Sequence, residues 1–224
     1  MSKERVNALS DGVFAILLTI LILEFHPETI KPGHLSSLVL QQGPLFLMYV
    51  MSYFYVGNSW LFHHDYFIYV KHTTRMLNIL NLLVLFTVTW INYAMVLLIE
   101  TLTSGDTSDI QVAFIVYDIV AISISVSFLV IYRYLESHEE MHSFDGIEER
   151  YRRIRSDPIR SILIYLVSIG ATFFSNLLAG ALLFAGVIFH FVAYLRFSRV
   201  IHYGVTKSLT TNVAEKVVKE VKKI

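Results

Sequence analysis

Residues 161–195 read SILIYLVSIGATFFSNLLAGALLFAGVIFHFVAYL, 35 residues without a charge between Arg160 and Arg196. A helix crosses the roughly 30 Å hydrocarbon core of a bilayer in about 20 residues, so this run is too long for one span. Ser175-Asn176 supplies the polar turn that splits it, and the two halves form a tight helical hairpin. Pro158 opens the first half where a missing N–H is harmless, as Pro44 does upstream. Working outward, similar apolar runs predict six membrane-crossing helices, over 5–26, 44–64, 76–99, 111–133, 159–175 and 178–198. The composition agrees: 55% hydrophobic, 16% charged and a mean hydropathy of +0.58, whereas a soluble domain has about a quarter of its residues charged. With no cysteine, disulfides, thiolate metal sites, iron–sulfur clusters and cysteine nucleophiles are excluded. The first apolar run carries Asp11 and lacks a small-residue cleavage site, so it reads as a span and not as a secretory leader.

With six spans, 17 of the 18 Lys and Arg residues fall on one side and Lys31 alone on the other. An odd number of spans would scramble that asymmetry, and the positive-inside rule then places both termini in the cytoplasm. The chain is expected to divide into a six-helix transmembrane domain, 1–200, and an amphipathic basic cytoplasmic tail, 201–224, with Val213, Val217, Val221 and Ile224 on one face. Segment 137–157 alternates acid and base as a solvated stretch does. Sidedness accounts for the basic residues, so no nucleic-acid partner is expected.

The first span departs from the pattern. Only twelve uncharged residues separate Asp11 from Glu24, about 18 Å of helix, so both carboxylates lie within or at the edges of the bilayer. Either they reach the two headgroup layers, or the helix lines an aqueous path. Gly12, Ala15 and Thr19 thin its cytoplasmic half, while Ile16, Ile20 and Leu23 recur at i, i+4 and i+7. Arg5, Ser10 and Asp11 share a depth with Trp60, His63 and His64 at the end of the second span, and with Asn78 and Asn81 at the start of the third. Polar groups in a medium without water need one another, so these residues are expected to form a hydrogen-bonded belt joining three helices. The belt reads as structural or gating, and its His pair as hydrogen-bonding rather than metal-ligating.

Arg5-Val6-Asn7-Ala8-Leu9-Ser10-Asp11 resembles the R-x-x-x-F-S-D signature that opens the first helix in the lysosomal potassium channel family, transmembrane protein 175, and its prokaryotic homologues. Leu9 stands where the family usually has Phe. The Ile-rich run that follows, Trp60 with His63-His64, and the six-span pattern are also similar to that family. The resemblance implies a potassium-selective cation channel, assembled in the prokaryotic single-unit members as a homotetramer whose pore is lined by the first helices. It maps the narrowest layer to Ile16, further apolar layers to Ile20 and Leu23, and a hydroxyl between them to Thr19, with K+ passing transiently near Ile16, Thr19 and Ile20. No T-V-G-Y-G run occurs in the chain, so a ring of filter carbonyls is not available. Rings of branched side chains close a pore by dewetting instead.

Two other readings compete. His138-Glu139-Glu140-Met141-His142 matches H-E-x-x-H, whose paired imidazoles hold zinc on a helix face in metalloproteases. Glu148 or Glu149 would be the third ligand there, but the surrounding segment is charged and offers no apolar wall for a cleft. An intramembrane relay of Asp11, Asn92 and Asp118 would instead serve a secondary transporter. Span four has no Arg ladder, which excludes a voltage sensor, and one His pair is too few for an iron desaturase. The expectation is an all-α, six-span integral membrane protein of a bacterial or archaeal plasma membrane. The resemblance makes it an expected homotetrameric potassium channel and not an enzyme, with the bilayer and its own copies as expected partners and no cofactor or resident metal.

Overall fold

The computed structural model describes residues 2–24, 32–143 and 156–221, with side chains followed as far as Thr211. Lys31, Glu148, Glu149 and the basic residues of 150–155 lie outside the described residues, as do the side chains of the valine face in the tail. The fold is helical, and its elements are α1 (Lys3–Ile20), continued as a 3-10 turn (Leu21–Glu24), α2 (Leu35–Gln41), α3 (Gly43–Tyr69), α4 (Arg75–Ser104), α5 (Thr107–Glu136), α6 (Asp157–Thr172) and α7 (Asn176–Val221). Among the described residues five helices are long and apolar enough to cross a membrane: Lys3–Glu24, Gly43–Tyr69, Arg75–Ser104, Thr107–Glu136 and Asn176–Thr211. The protein is a multi-pass membrane protein.

The chain's own chemistry sets the boundaries. Pro44 and Pro158 stand in the first turns of α3 and α6, where their missing N–H groups would have no helical partner. Thr74 caps α4, its Oγ1 accepting from Leu77 N at 3.1 Å. Gly105, at φ 76, ends that helix in the left-handed region that side chains with a Cβ avoid. Asp106 then caps α5, accepting from Ser108 N and Asp109 N at 2.9 and 3.0 Å. Two adjacent caps make the α4–α5 connection a tight hairpin.

The hairpin expected over 159–198 forms, split at Ser175-Asn176. Its first arm is shorter than expected. α6 has 16 residues, about 24 Å, because Phe174 N and Ser175 N both turn back onto Ala171 O at 3.0 and 2.9 Å. Its second arm is longer: α7 runs unbroken through Gly204, since helix formation does not stop where the apolar run stops at Arg196. A short helix, α2, precedes the second span and was not signalled by the apolar pattern.

The core lies among α3, α4, α5, α6 and α7, with α5 packed against α4, α6 and α7. Tyr55, Tyr117 and Tyr165 are fully buried in it, and Tyr117 Oη lies 2.9 Å from Ser52 Oγ. Asp157 ties α6 to α7, accepting from Arg160 at 3.1 Å and from Arg196 at 3.5 Å. Among the described residues α1 packs chiefly against α3 and α4. One side of the first helix is therefore open.

Candidate functional site

The open side of α1 is the feature to build from. Phe14, Leu17 and Leu21 are buried, while Asp11, Gly12, Ala15, Ile16, Thr19 and Leu23 are exposed, at the i, i+3/i+4, i+7 spacing of one helix face. Ile16 and Leu23 are 61% and 65% exposed. Ile20, expected in line with them, is half-buried against the core, because its bearing turns it toward the α1–α4 groove. That groove, of about 550 Å³, is lined by Val13, Ile16, Ile20 and Glu24 from the first helix and by Asn92 and Tyr93 from α4. Thr19 Oγ1 lies 2.8 Å from Ile16 O and 3.1 Å from Ala15 O. Its hydrogen is thereby directed at the backbone, and its lone pairs are left to face outward.

The polar belt divides into two parts. On the exposed side, Trp60 Nε1 donates to Asp11 Oδ1 at 2.8 Å, and the His64 ring lies 5.8 Å from the Trp60 indole, centroid to centroid. On the buried side, His63 Nε2 lies 2.6 Å from Asn81 Oδ1, and Asn81 Nδ2 donates to Ser10 Oγ at 3.1 Å. Ser10 in turn donates to Val6 O at 2.9 Å. His63 stacks on Phe67 with centroids 4.5 Å apart. The expected belt thus joins α1, α3 and α4 through Ser10, Asp11, Trp60, His63 and Asn81. Arg5 is exposed and contributes nothing to it, and Asn78 Oδ1 is buried without a hydrogen-bond partner.

The competing chemistry is not assembled. Glu139–Met141 is a single 3-10 turn, not an α-helix, so the H-E-x-x-H spacing does not give the helical face that zinc needs. His142 Nδ1 lies 2.8 Å from Tyr69 Oη and its Nε2 lies 2.9 Å from Leu135 O, which occupies both ring nitrogens. Among the described residues no three His, Cys, Asp or Glu side chains gather as a metal site. The three relay residues lie in separate places. Asp11 is held by Trp60, Asn92 Nδ2 donates to Glu24 Oε1 at 3.1 Å, and Asp118 is wholly buried with neither oxygen within a hydrogen bond. The Glu24–Asn92 contact was missed at the sequence level, although a carboxylate at the wrong end of a helix was its signal.

Residues 5–91 match the family model described as the endosomal/lysosomal potassium channel TMEM175. A crystal structure of a lysosomal potassium-selective channel TMEM175 homolog from Chamaesiphon minutus aligns with a TM-score of 0.74 at 26% identity, covering 86% of this chain and 97% of that one. Over residues 5–91 the chain is similar to the TMEM175 channels, and over most of its length its fold is like that of the Chamaesiphon channel. A potassium channel of Streptomyces collinus is 37% identical over 132 residues, 58% of this chain and 63% of that protein. The human endosomal/lysosomal proton channel TMEM175 is 43% identical over 92 residues, 37% of this chain and 18% of the human protein. The matched stretch spans less than two thirds of these two relatives. The family-model match over residues 5–91 holds Asp11, Trp60, His63 and Asn81, together with Ile16, Thr19, Ile20 and Leu23.

Proposed function

We propose that the chain is one subunit of a potassium-selective channel, conducting passively along the open face of α1 with four copies around one pore. The observation that carries this reading is the division of α1. Its Phe14, Leu17 and Leu21 are buried in the subunit, while Asp11, Ile16, Thr19 and Leu23 are exposed in a helix long and apolar enough to span. An ionisable group and a hydroxyl on the outer face of a span are costly against lipid and favourable against water or protein. The names of the Streptomyces and Chamaesiphon relatives support K+ as the permeant ion.

In this reading Ile16 forms the narrowest ring and Ile20 and Leu23 form wider ones. Thr19 turns its oxygen toward a passing K+ between Ile16 and Ile20. Four branched side chains at one level exclude water when closed and admit a partly dehydrated ion when they dilate. The belt of Ser10, Asp11, Trp60, His63 and Asn81 sets the cytoplasmic mouth. α6 counts as the sixth crossing, its deficit of about 6 Å met by local thinning of the bilayer. Support comes from sidedness, since six crossings leave Lys31 alone opposite 17 other bases. Both termini and the 201–224 tail then lie in the cytoplasm of a bacterium or archaeon, below the 1–200 channel domain.

Purified protein in liposomes under an outward K+ gradient tests this. Electrogenic K+ efflux that does not saturate and needs no proton movement is expected. Saturable flux at transporter rates, or strict coupling to protons, would contradict it and favour the relay.

A further inference from the structure

His190 lies in α7 and is 5% exposed. The rings of Tyr55 and Phe62 pack on it, with centroids 5.0 and 5.1 Å away, yet neither of its ring nitrogens has a hydrogen-bond partner among the described residues. A neutral imidazole carries one donor and one acceptor, and burying both without partners costs stability. Asp157, 4% exposed, has a similar deficit. Its Oδ1 accepts from Arg160 and Arg196, while its Oδ2 is buried with no partner among the described residues. Both side chains line one cavity of about 30 Å³, bounded by α3, α5, α6 and α7. Ser125 and Ser161 line it too. Their hydroxyls donate to Ala121 O at 3.0 Å and to Asp157 O at 3.3 Å, which leaves their lone pairs as further acceptors.

We propose that this cavity is an internal hydration site, in which bound water accepts from the His190 N–H and donates to Asp157 Oδ2. A buried water needs about 10–15 Å³ and two to four polar partners, so the cavity has room for two waters in series and the partners to hold them. The chemistry disfavours other small occupants. A cation would meet a carboxylate that already faces two guanidinium groups, and an anion would meet the carboxylate itself. An apolar occupant would leave the imidazole and Oδ2 unpaired. The site joins the start of α6 to α7 beside α3, the helix that carries Trp60 and His63, and it does not rest on the channel reading.

Radiolytic hydroxyl labelling of the full-length protein in lipid nanodiscs, with isotopically labelled water as the probe, tests this. A water held inside a protein and ionised by X-rays oxidises the ring beside it. Phe128 lines the cavity, whereas Phe14 is a residue of the same type that is also buried, at 1% against 4% exposure, and lies elsewhere. Phe128 should be oxidised and Phe14 should not. His190→Phe, which removes both nitrogens, should reduce oxidation of Phe128 to the level of Phe14. His190→Gln, which keeps a donor and an acceptor, should retain it.

Equal labelling of Phe128 and Phe14 in the parent would mean a dry cavity and overturn the proposal without recourse to any variant. Undiminished labelling of Phe128 in His190→Phe would assign the oxidation to bulk solvent, with the same result. The melting temperature in KCl and in N-methylglucamine chloride separates water from a cation. No His190-dependent difference between the two salts is expected. A rise in KCl that disappears in His190→Phe would give the site to K+ and contradict hydration.

Discussion

One amide at position 81 holds groups from three helices. Asn81 meets His63 at 2.6 Å through its oxygen and Ser10 at 3.1 Å through its nitrogen, and all three residues are buried. Asn81→Leu strands the His63 imidazole in a low-dielectric site, which costs about 1 to 3 kcal/mol. In detergent, the melting temperature should fall by roughly 2 to 4 °C per kcal/mol for a chain of this size; an unchanged melt would mean that the junction does not hold the helices. Trp60→Phe removes a bond to the exposed Asp11 and should cost less, about 0.5 to 1.5 kcal/mol. The residue types of this junction were legible in the sequence, but their pairing was not. His63 and His64 are neighbours about 100° apart on a helix, so only one of them can face α4. Which one does so, and which of Asn78 and Asn81 meets it, is set by how α3 and α4 rotate as they pack.

At the scale of elements, the α6–α7 hairpin depends on Gly186. A Cβ added there would fall 2.5 Å from Cε1 of Tyr165, and Tyr165 is fully buried and cannot swing out. Close approach of this kind is what small residues allow between membrane helices. Gly186→Ala should therefore lower the melting temperature, its overpacking cost of about 1 to 3 kcal/mol exceeding the helix-propensity gain of about 1 kcal/mol. Gly170→Ala, with nothing within 4 Å of the new Cβ, should raise it. Equal effects at the two sites would remove the contact argument. Asp118 supplies a second prediction, because it is wholly buried without a hydrogen bond. Asp118→Asn should leave K+ flux unchanged and the melt unchanged or higher, since a buried carboxylate without a partner contributes nothing favourable. Lost flux would restore the relay. The hairpin's turn was readable because Pro158 and Ser175-Asn176 are local signals. The length of α7 was not, because hydropathy marks where a membrane ends and not where a helix ends.

For the molecule as a whole, the sequence's strongest statement is the placement of its charges, and the open face of α1 is the structure's. The hydrophobic spacing of Ile16, Ile20 and Leu23 pointed to one stripe, yet Ile20 is half-buried while its companions are exposed. Period alone cannot separate a face toward a pore from one toward a neighbouring helix. The account's central claim is that ions pass along the exposed side of α1, and the cysteine-free chain and its adjacent residues Ile16 and Leu17 offer a direct comparison. Ile16 is 61% exposed and Leu17 4% exposed. An amide at Ile16 places polar groups where branched alkyl groups exclude water, which lowers the dewetting barrier and weakens discrimination. At Leu17 it disturbs packing inside the subunit. The deciding measurement is the reversal potential of Ile16→Asn and of Leu17→Asn in mixed K+ and Na+. The account predicts a raised leak with a shift toward non-selectivity for Ile16→Asn and parental selectivity for Leu17→Asn. Equal shifts in both, or none in Ile16→Asn, would contradict it.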